Sequence, residues 1–219
     1  MQFHNGKVIV AHPGRQHSYR LASALKHAGL LDEYVTTLYY RSPVSLLGLM
    51  AAVAPGDNGD RIRNRCNPDL DPQDVKQFYE LRGIAETLMW RAKDPSRYLP
   101  NMRKTSRLFG TAVAKEAIAH GVSAVVCYDG QSSACFRYLK ANAPHIKRVL
   151  DVSSASRPYI RCVYETIMAR SGDDFLKQEN PRIWDTSSDE AARDEIALSD
   201  YFLAASDYVA ASLQFAGVK

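Results

Sequence analysis

Residues 8–30 read VIVAHPGRQHSYRLASALKHAGL. An apolar run, Lys7–Ala11, breaks into His12-Pro13-Gly14-Arg15-Gln16-His17 and then turns amphipathic. From Ser18 to Ala28 the apolar positions Leu21, Ala24, Leu25 and Ala28 fall on one helical face. Gly29 fits a helix stop. A short apolar strand, a tight polar turn and a helix form the opening unit of a sheet whose strands alternate with helices.

The rhythm continues outward from there. EYVTTLY, residues 33–39, is β-branched and aromatic and reads as a second strand. A short apolar helix follows over Val44–Val53. Then APGDNGDRIRNRCNPDLDP, residues 54–72, reads as an exposed excursion. Gln73–Ala92 has a helical pattern, Pro95 and Pro100 break it, and Met102–His120 forms a longer helix closed by Gly121. SAVVCY (123–128), IKRVLDV (146–152) and DYFLAA (200–205) are strands. Between and after them lie helices over Ser132–Asn142, Arg157–Ser171, Ser188–Leu198 and Ser206–Phe215, the last capped by Ser206. Short apolar strands without alternation indicate a sheet covered on both faces. The expected fold is α/β, a doubly wound, mostly parallel sheet in one Rossmann-like domain over residues 1–219, without repeats or low-complexity linkers.

Composition narrows the function. A chain with 46% hydrophobic and 24% charged residues is ordinary for a globular domain. The formal charge of +4 comes without a Lys/Arg-rich block, so no nucleic-acid partner is expected. No apolar run approaches the roughly 18 residues that a membrane helix needs, and no signal peptide is expected. The four cysteines form no CxxC pair and no zinc-type spacing with histidine. They read as structural thiols in a cytoplasmic protein, and no metal is expected.

In doubly wound sheets, ligands bind beyond the carboxyl ends of the strands. The first such loop concentrates candidates. Gly14 lets a backbone N–H approach a ligand, and the helix behind it carries partial positive charge. Arg15 can grip a phosphate or carboxylate in two-pronged fashion, His12 and Gln16 add hydrogen-bonding groups, and His17 can exchange a proton near neutral pH. A capped structural turn would use the same residues, and both readings stand. Further strand ends bring Asp129, Gly130, Ser154 and Arg157, while Asp151 either faces that space or caps the next turn. Gly130-Gln131-Ser132-Ser133-Ala134 imitates a hydrolase nucleophile elbow. That reading fails because only His145 follows Ser132, with no acid between them.

Three stretches carry a resemblance to a known family. They are KVIVAHPGRQHSYRLASALKHAGL, AIAHGVSAVVCYDGQSSACFRYLKANAPHIKRVLDV and EIALSDYFLAASDYVAASLQFAGVK. The chain resembles the N-terminal, acceptor-side domain of the GT-B retaining glycosyltransferases of family 4. The third stretch matches the family pattern at Glu195, Asp200, Ser206, Leu213, Gly217 and Val218, with Ser199 where alanine is usual. The resemblance implies transfer of a hexosyl group from a nucleotide-sugar to a glycan or lipid-linked acceptor, with retention and no metal. It places the HPGRQH turn at the cleft floor, with Asp129 and His17 as catalytic candidates. His12, Gly14, Arg15, Gln16, Gly130, Ser154 and Arg157 would then be ligand contacts. The family's donor domain uses an E-x7-E element, and no two glutamates here stand at that spacing. The expectation is an N-terminal half, inactive alone, whose donor site lies in a missing C-terminal domain. The alternative is a glycan-binding module or one subunit of a two-chain transferase. Basic and aromatic residues at 41–65 and 91–98 offer either peripheral contact with the inner face of a membrane or a merely solvated surface.

Overall fold

A computed structural model describes residues 6–14, 17–54, 56–93, 95–179, 181–184, 186 and 189–218. Among the described residues, six strands form one all-parallel sheet. They are β1 (Val8–Ala11), β2 (Leu31–Thr36), β3 (Val75–Gln77), β4 (Ala124–Tyr128), β5 (Lys147–Val152) and β6 (Tyr201–Ala204). Their order across the sheet is β3-β2-β1-β4-β5-β6, the doubly wound arrangement expected. The early helices are α1 (Ser18–His27), α2 (Leu46–Val53), α3 (Asn58–Arg63), α4 (Glu80–Arg91) and α5 (Pro95–His120). The later ones are α6 (Ser133–Asn142), α7 (Arg157–Ser171), α8 (Phe175–Glu179), α9 (Pro181–Trp184), α10 (Asp189–Leu198) and α11 (Asp207–Phe215). Among the described residues, no helix is long and apolar enough to cross a membrane.

Strand parity sorts the core into two layers. Ile9, Val125 and Leu150 point to a face covered by Phe109, Val113 and Ala117 of α5 and by Phe136 and Leu139 of α6. Val10, Tyr34, Val126 and Tyr128 point the other way, against Tyr19 and Ala22 of α1. Both layers bury their residues almost completely, which explains why the strands carry no polar alternation.

Several expectations need correction. The residues expected as one helix over 73–92 divide into a 3-10 turn at Pro72–Asp74, strand β3 and helix α4. Three residues are too few for a period to show. Val75 is nonetheless fully buried, and Tyr34 is its partner on β2. Pro95 and Pro100 do not interrupt α5, which runs unbroken from Pro95. Pro100 sits in the second turn and lacks only its own backbone donor, so the helix tolerates it at the exposed end. The inward face of α1 is Ser18, Tyr19, Ala22 and Ser23, while Ala24 and Ala28 are exposed. Polar groups move this face because they are satisfied inside. Ser18 Oγ lies 2.9 Å from the Tyr34 hydroxyl, Ser23 donates to Asp69 at 2.7 Å, and Tyr19 packs edge-on against Tyr34 and Tyr39. The second strand stops at Thr36, the excursion after α2 holds helix α3, and α8 and α9 were not anticipated. Ser188, the expected start of α10, lies outside the described residues.

Candidate functional site

The strand order reverses between β1 and β4, which opens a crevice at the carboxyl edge. In the register there, Ala11 faces Cys127 and Tyr128 faces Asp151. Continued by one residue, it lines up His12, Tyr128 and Asp151 across β1, β4 and β5. All three belong to the α1 side of the sheet. His17, at the foot of α1, closes over this row.

Each member is held by an identifiable contact. His12 donates its backbone N–H to Val35 O at 3.0 Å, which extends β1. Its Nδ1 accepts the Gly14 N–H at 2.8 Å. A side chain at position 14 would put its Cβ 3.1 Å from the His12 ring, which would have to give by a few tenths of an ångström to admit it. Thr37 donates to Pro13 O at 2.5 Å and Thr36 to Gly14 O at 3.4 Å, tying the turn to the end of β2. Tyr128 lies edge-on between the two imidazoles, 5.1 Å from His12 and 5.0 Å from His17. His17 Nε2 lies 3.2 Å from Asp151 Oδ1. Asp151 is nearly enclosed, whereas the His17 side chain is 42% exposed and so accessible from the crevice.

The two histidines have different electrostatics. Burial, followed by the neighbouring His17, lowers the His12 pKa to about 4. His12 is therefore neutral at ordinary pH. Since Nδ1 accepts from Gly14, the proton sits on Nε2, which has no partner among the described residues. His17 instead faces a carboxylate. When it donates Nε2–H to Asp151, its Nδ1 is free to accept a proton, the arrangement that orients a general base. Tyr128 is kept protonated, first by burial and then by the negative charge of Asp151.

The next loop is built differently. Asp129 Oδ1 accepts from Ser153 Oγ at 3.2 Å, and burial raises its pKa. The structure pairs His17 with Asp151, not with Asp129. Gly130, at φ +81°, gives its N–H to Glu195 Oε2 at 2.7 Å. Ser132 and Ser133 give theirs to Glu195 Oε1 at 2.8 and 3.2 Å. A carboxylate from α10 therefore already occupies the positive end of α6. Ser132 is fully buried, unlike an exposed nucleophile at an elbow. Ser154 is exposed in the turn after β5, and Arg157 opens α7 half-buried. Arg15 and Gln16 lie outside the described residues.

Sequence reasoning missed Tyr128 and left Asp151 undecided. The available signal was parity, since an acid two residues after Val149 must share its face of the sheet. The motif residues of the third stretch act as joints. Besides Glu195, Asp200 accepts the Arg148 N–H and guanidinium at 2.8 Å each, and Ser206 caps α11 by accepting from Val209 N at 3.3 Å. Glu33, Glu116 and His120 form a separate cluster, with ligand-type atoms within 4.8 Å of one another. Lys76 sits 3.0 Å from Glu116 and Asp32 is 2.6 Å from His120, so the cluster carries its own counter-charges.

Fold and site together define a doubly wound α/β chain with an imidazole–carboxylate pair at its switch point. The chain matches no protein-family model and no curated protein.

Proposed function

We propose that this chain is the acceptor-side half of a glycosyltransferase that moves a hexosyl group from a nucleotide-sugar to a hydroxyl of a glycan or lipid-linked acceptor. The observation that supports it best is the His17–Asp151 pair at the sheet's switch point. In this reading Asp151 orients His17, and His17 Nδ1 receives the proton of the attacking hydroxyl. The bond from the anomeric carbon to the nucleoside diphosphate breaks as the new glycosidic bond forms. His12, through the Nε2–H that has no partner among the described residues, supplies a donor toward developing negative charge, and Arg15 is the second candidate donor. Asp129 and Arg157, which follow β4 and β5 in the chain, are the further candidates for ligand contact in this reading. The expected stereochemical outcome is retention, as the family resemblance implies, so in this scheme the hydroxyl attacks on the same face from which the diphosphate departs. No metal enters the scheme.

The donor is held by a second domain or subunit. The exposed apolar residues Tyr201 and Leu203 of β6 and Tyr208 and Phe215 of α11 are consistent with such a companion. A cytoplasmic setting at a membrane's inner face belongs to the same proposal, because lipid-linked acceptors reside there.

The test is an NMR titration of the 219-residue chain with candidate acceptor oligosaccharides, read at the side-chain resonances of His12, His17 and Tyr128. Binding is expected to shift them, while the chain alone transfers no sugar. Glycan binding that leaves these resonances unmoved would refute the site. Efficient transfer by the purified chain alone would refute the half-enzyme reading.

A further inference from the structure

Two glycines fix how α4 and α5 stand on the sheet. A Cβ on Gly83, in the first turn of α4, would lie 2.5 Å from Thr37 Oγ1 and 2.8 Å from Leu38 Cγ. A Cβ on Gly110 of α5 would lie 2.9 Å from the backbone N of Cys135, in the first turn of α6. Thr37 follows β2 and α6 follows β4, so both contacts sit at the carboxyl edge. Beyond Gly110, α5 descends along the sheet toward the start of β4. Between Pro95 and Gly110 it runs about 22 Å at 1.5 Å per residue, and the twelve residues of α4 cover about 18 Å. The two helices pack together, with Arg82 donating to Asn101 at 3.3 Å. They form a hairpin standing on the same edge that carries His17.

The surface of this hairpin is unusual for an exposed arm. Leu81, Leu88, Trp90 and Leu99 are 72%, 57%, 61% and 44% exposed. Trp90 packs against Tyr98 across the elbow, ring centres 5.2 Å apart. Arg91, Lys93 and Arg97 neighbour these two rings in the sequence and are exposed. Residues 79–107 hold seven Lys/Arg against three Asp/Glu, a net +4 equal to the formal charge of the whole chain. One of those acids, Glu86, is half-buried.

We propose that the α4–α5 hairpin docks the protein on an anionic lipid bilayer. Trp90, Leu88 and Leu99 enter the interfacial layer, and Arg91, Lys93 and Arg97 meet lipid phosphates. Tryptophan and tyrosine favour that depth, and basic residues beside them add attraction to anionic headgroups. A nucleic-acid surface would use the cations and aromatic rings but leave the leucines in water. A bilayer uses all three kinds of residue at once. Docking here would bring the carboxyl edge within reach of an acceptor at the membrane surface. This inference concerns the arm alone and does not depend on the sugar-transfer reading. Vesicle binding reports on the arm, and glycan titration reports on the crevice.

The experiment is co-sedimentation of the full chain with vesicles of neutral phosphatidylcholine, and with vesicles in which about a third of the lipid is phosphatidylglycerol. Binding is expected only to the anionic vesicles and is expected to weaken with salt. Arg91→Ala and Lys93→Ala should each reduce it about fivefold. Leu88→Ser with Trp90→Ser should abolish it at any salt. All four side chains are exposed, and an unchanged near-UV spectrum checks that the variants fold. Three results would overturn the inference: no sedimentation with anionic vesicles, equal binding to neutral ones, or hairpin variants that bind as well as the parent. Capture of single-stranded RNA through the same residues, without vesicle binding, would assign the arm to nucleic acid instead.

Discussion

Replacing Glu195 with alanine removes the acceptor shared by the backbone donors of Gly130, Ser132 and Ser133. The Ser132 N–H is buried, and left unpaired it costs about 2 kcal/mol. The other two N–H groups are partly accessible, so water replaces much of their bond and each loses about 0.5 kcal/mol. Losing the buried stem of the side chain adds about 1 kcal/mol. The expected destabilisation is therefore about 4 kcal/mol. With m near 3 kcal/mol per molar in urea, the unfolding midpoint falls by about 1.3 M. Glu195→Gln keeps the acceptor for Ser132 and Ser133 and loses the bond from Gly130, so it should cost about 1–2 kcal/mol. The pH dependence supplies an independent check. Burial raises the Glu195 pKa in the fold above the ordinary value of 4.5 despite the three N–H bonds. Its contribution to stability is thus complete below that value and is lost as pH rises through the raised one. Glu195→Gln lacks this loss, so the gap between parent and variant should narrow from pH 4 to pH 7. Equilibrium urea unfolding at both pH values measures it. A midpoint for Glu195→Ala within about 0.3 M of the parent would refute the clamp, because a shift that small is under about 1 kcal/mol.

Other expectations concern the crevice and the hairpin. In the complete transferase, His17→Gln should lower kcat/KM by about a hundredfold or more, and Asp151→Asn by less, as steady-state kinetics would show. Equal, negligible losses would remove His17 from the chemistry. The His12 imidazole should titrate by NMR at about 4, and a midpoint near 6.5 would contradict its burial. Because that pKa is depressed, the stability linked to His12 is intact above 6.5 and is lost as pH falls toward 4. His120 runs the opposite way. Its hydrogen bond to Asp32 raises its pKa, so the stability it contributes is present below 6.5 and lost as pH rises through the raised value. Gly83→Ala, which forces a methyl against Thr37 and Leu38, should cost about 1–3 kcal/mol in thermal or urea unfolding.

How legible the protein was depends on how each residue is satisfied. The strands of the sheet centre could be read directly, since Val8–Ala11 and Ala124–Tyr128 are short, apolar and nearly fully covered. The edge strand β3 could not, because three residues establish no period and their neighbours are helical. The inward face of α1 was misread because Ser18 and Ser23 are buried through hydrogen bonds that hydropathy does not see. The crevice was half legible. Its loops were found from the polar residues after each strand, but the partner of His17 lies within a strand, where an aspartate looks like an interruption. Tyr128 gave no signal beyond being the last residue of an apolar run. Glu195 was noticed as part of a pattern, but its partners are 62 to 65 residues away, a pairing that only the fold makes.

The length of α5 has a mechanical consequence. One unbroken rod runs from the elbow beside Trp90 to the underside of the sheet, with its fulcrum at Gly110 against Cys135. A tilt of about 5° about that fulcrum swings the tip by about 2 Å, given the 1.5 Å rise of each residue. The fulcrum abuts the first turn of α6, whose leading N–H groups grip Glu195 and carry Asp129 just ahead of them. A contact at the pivot moves least, so travel of the elbow leaves the first turn of α6 and its grip on Glu195 in place.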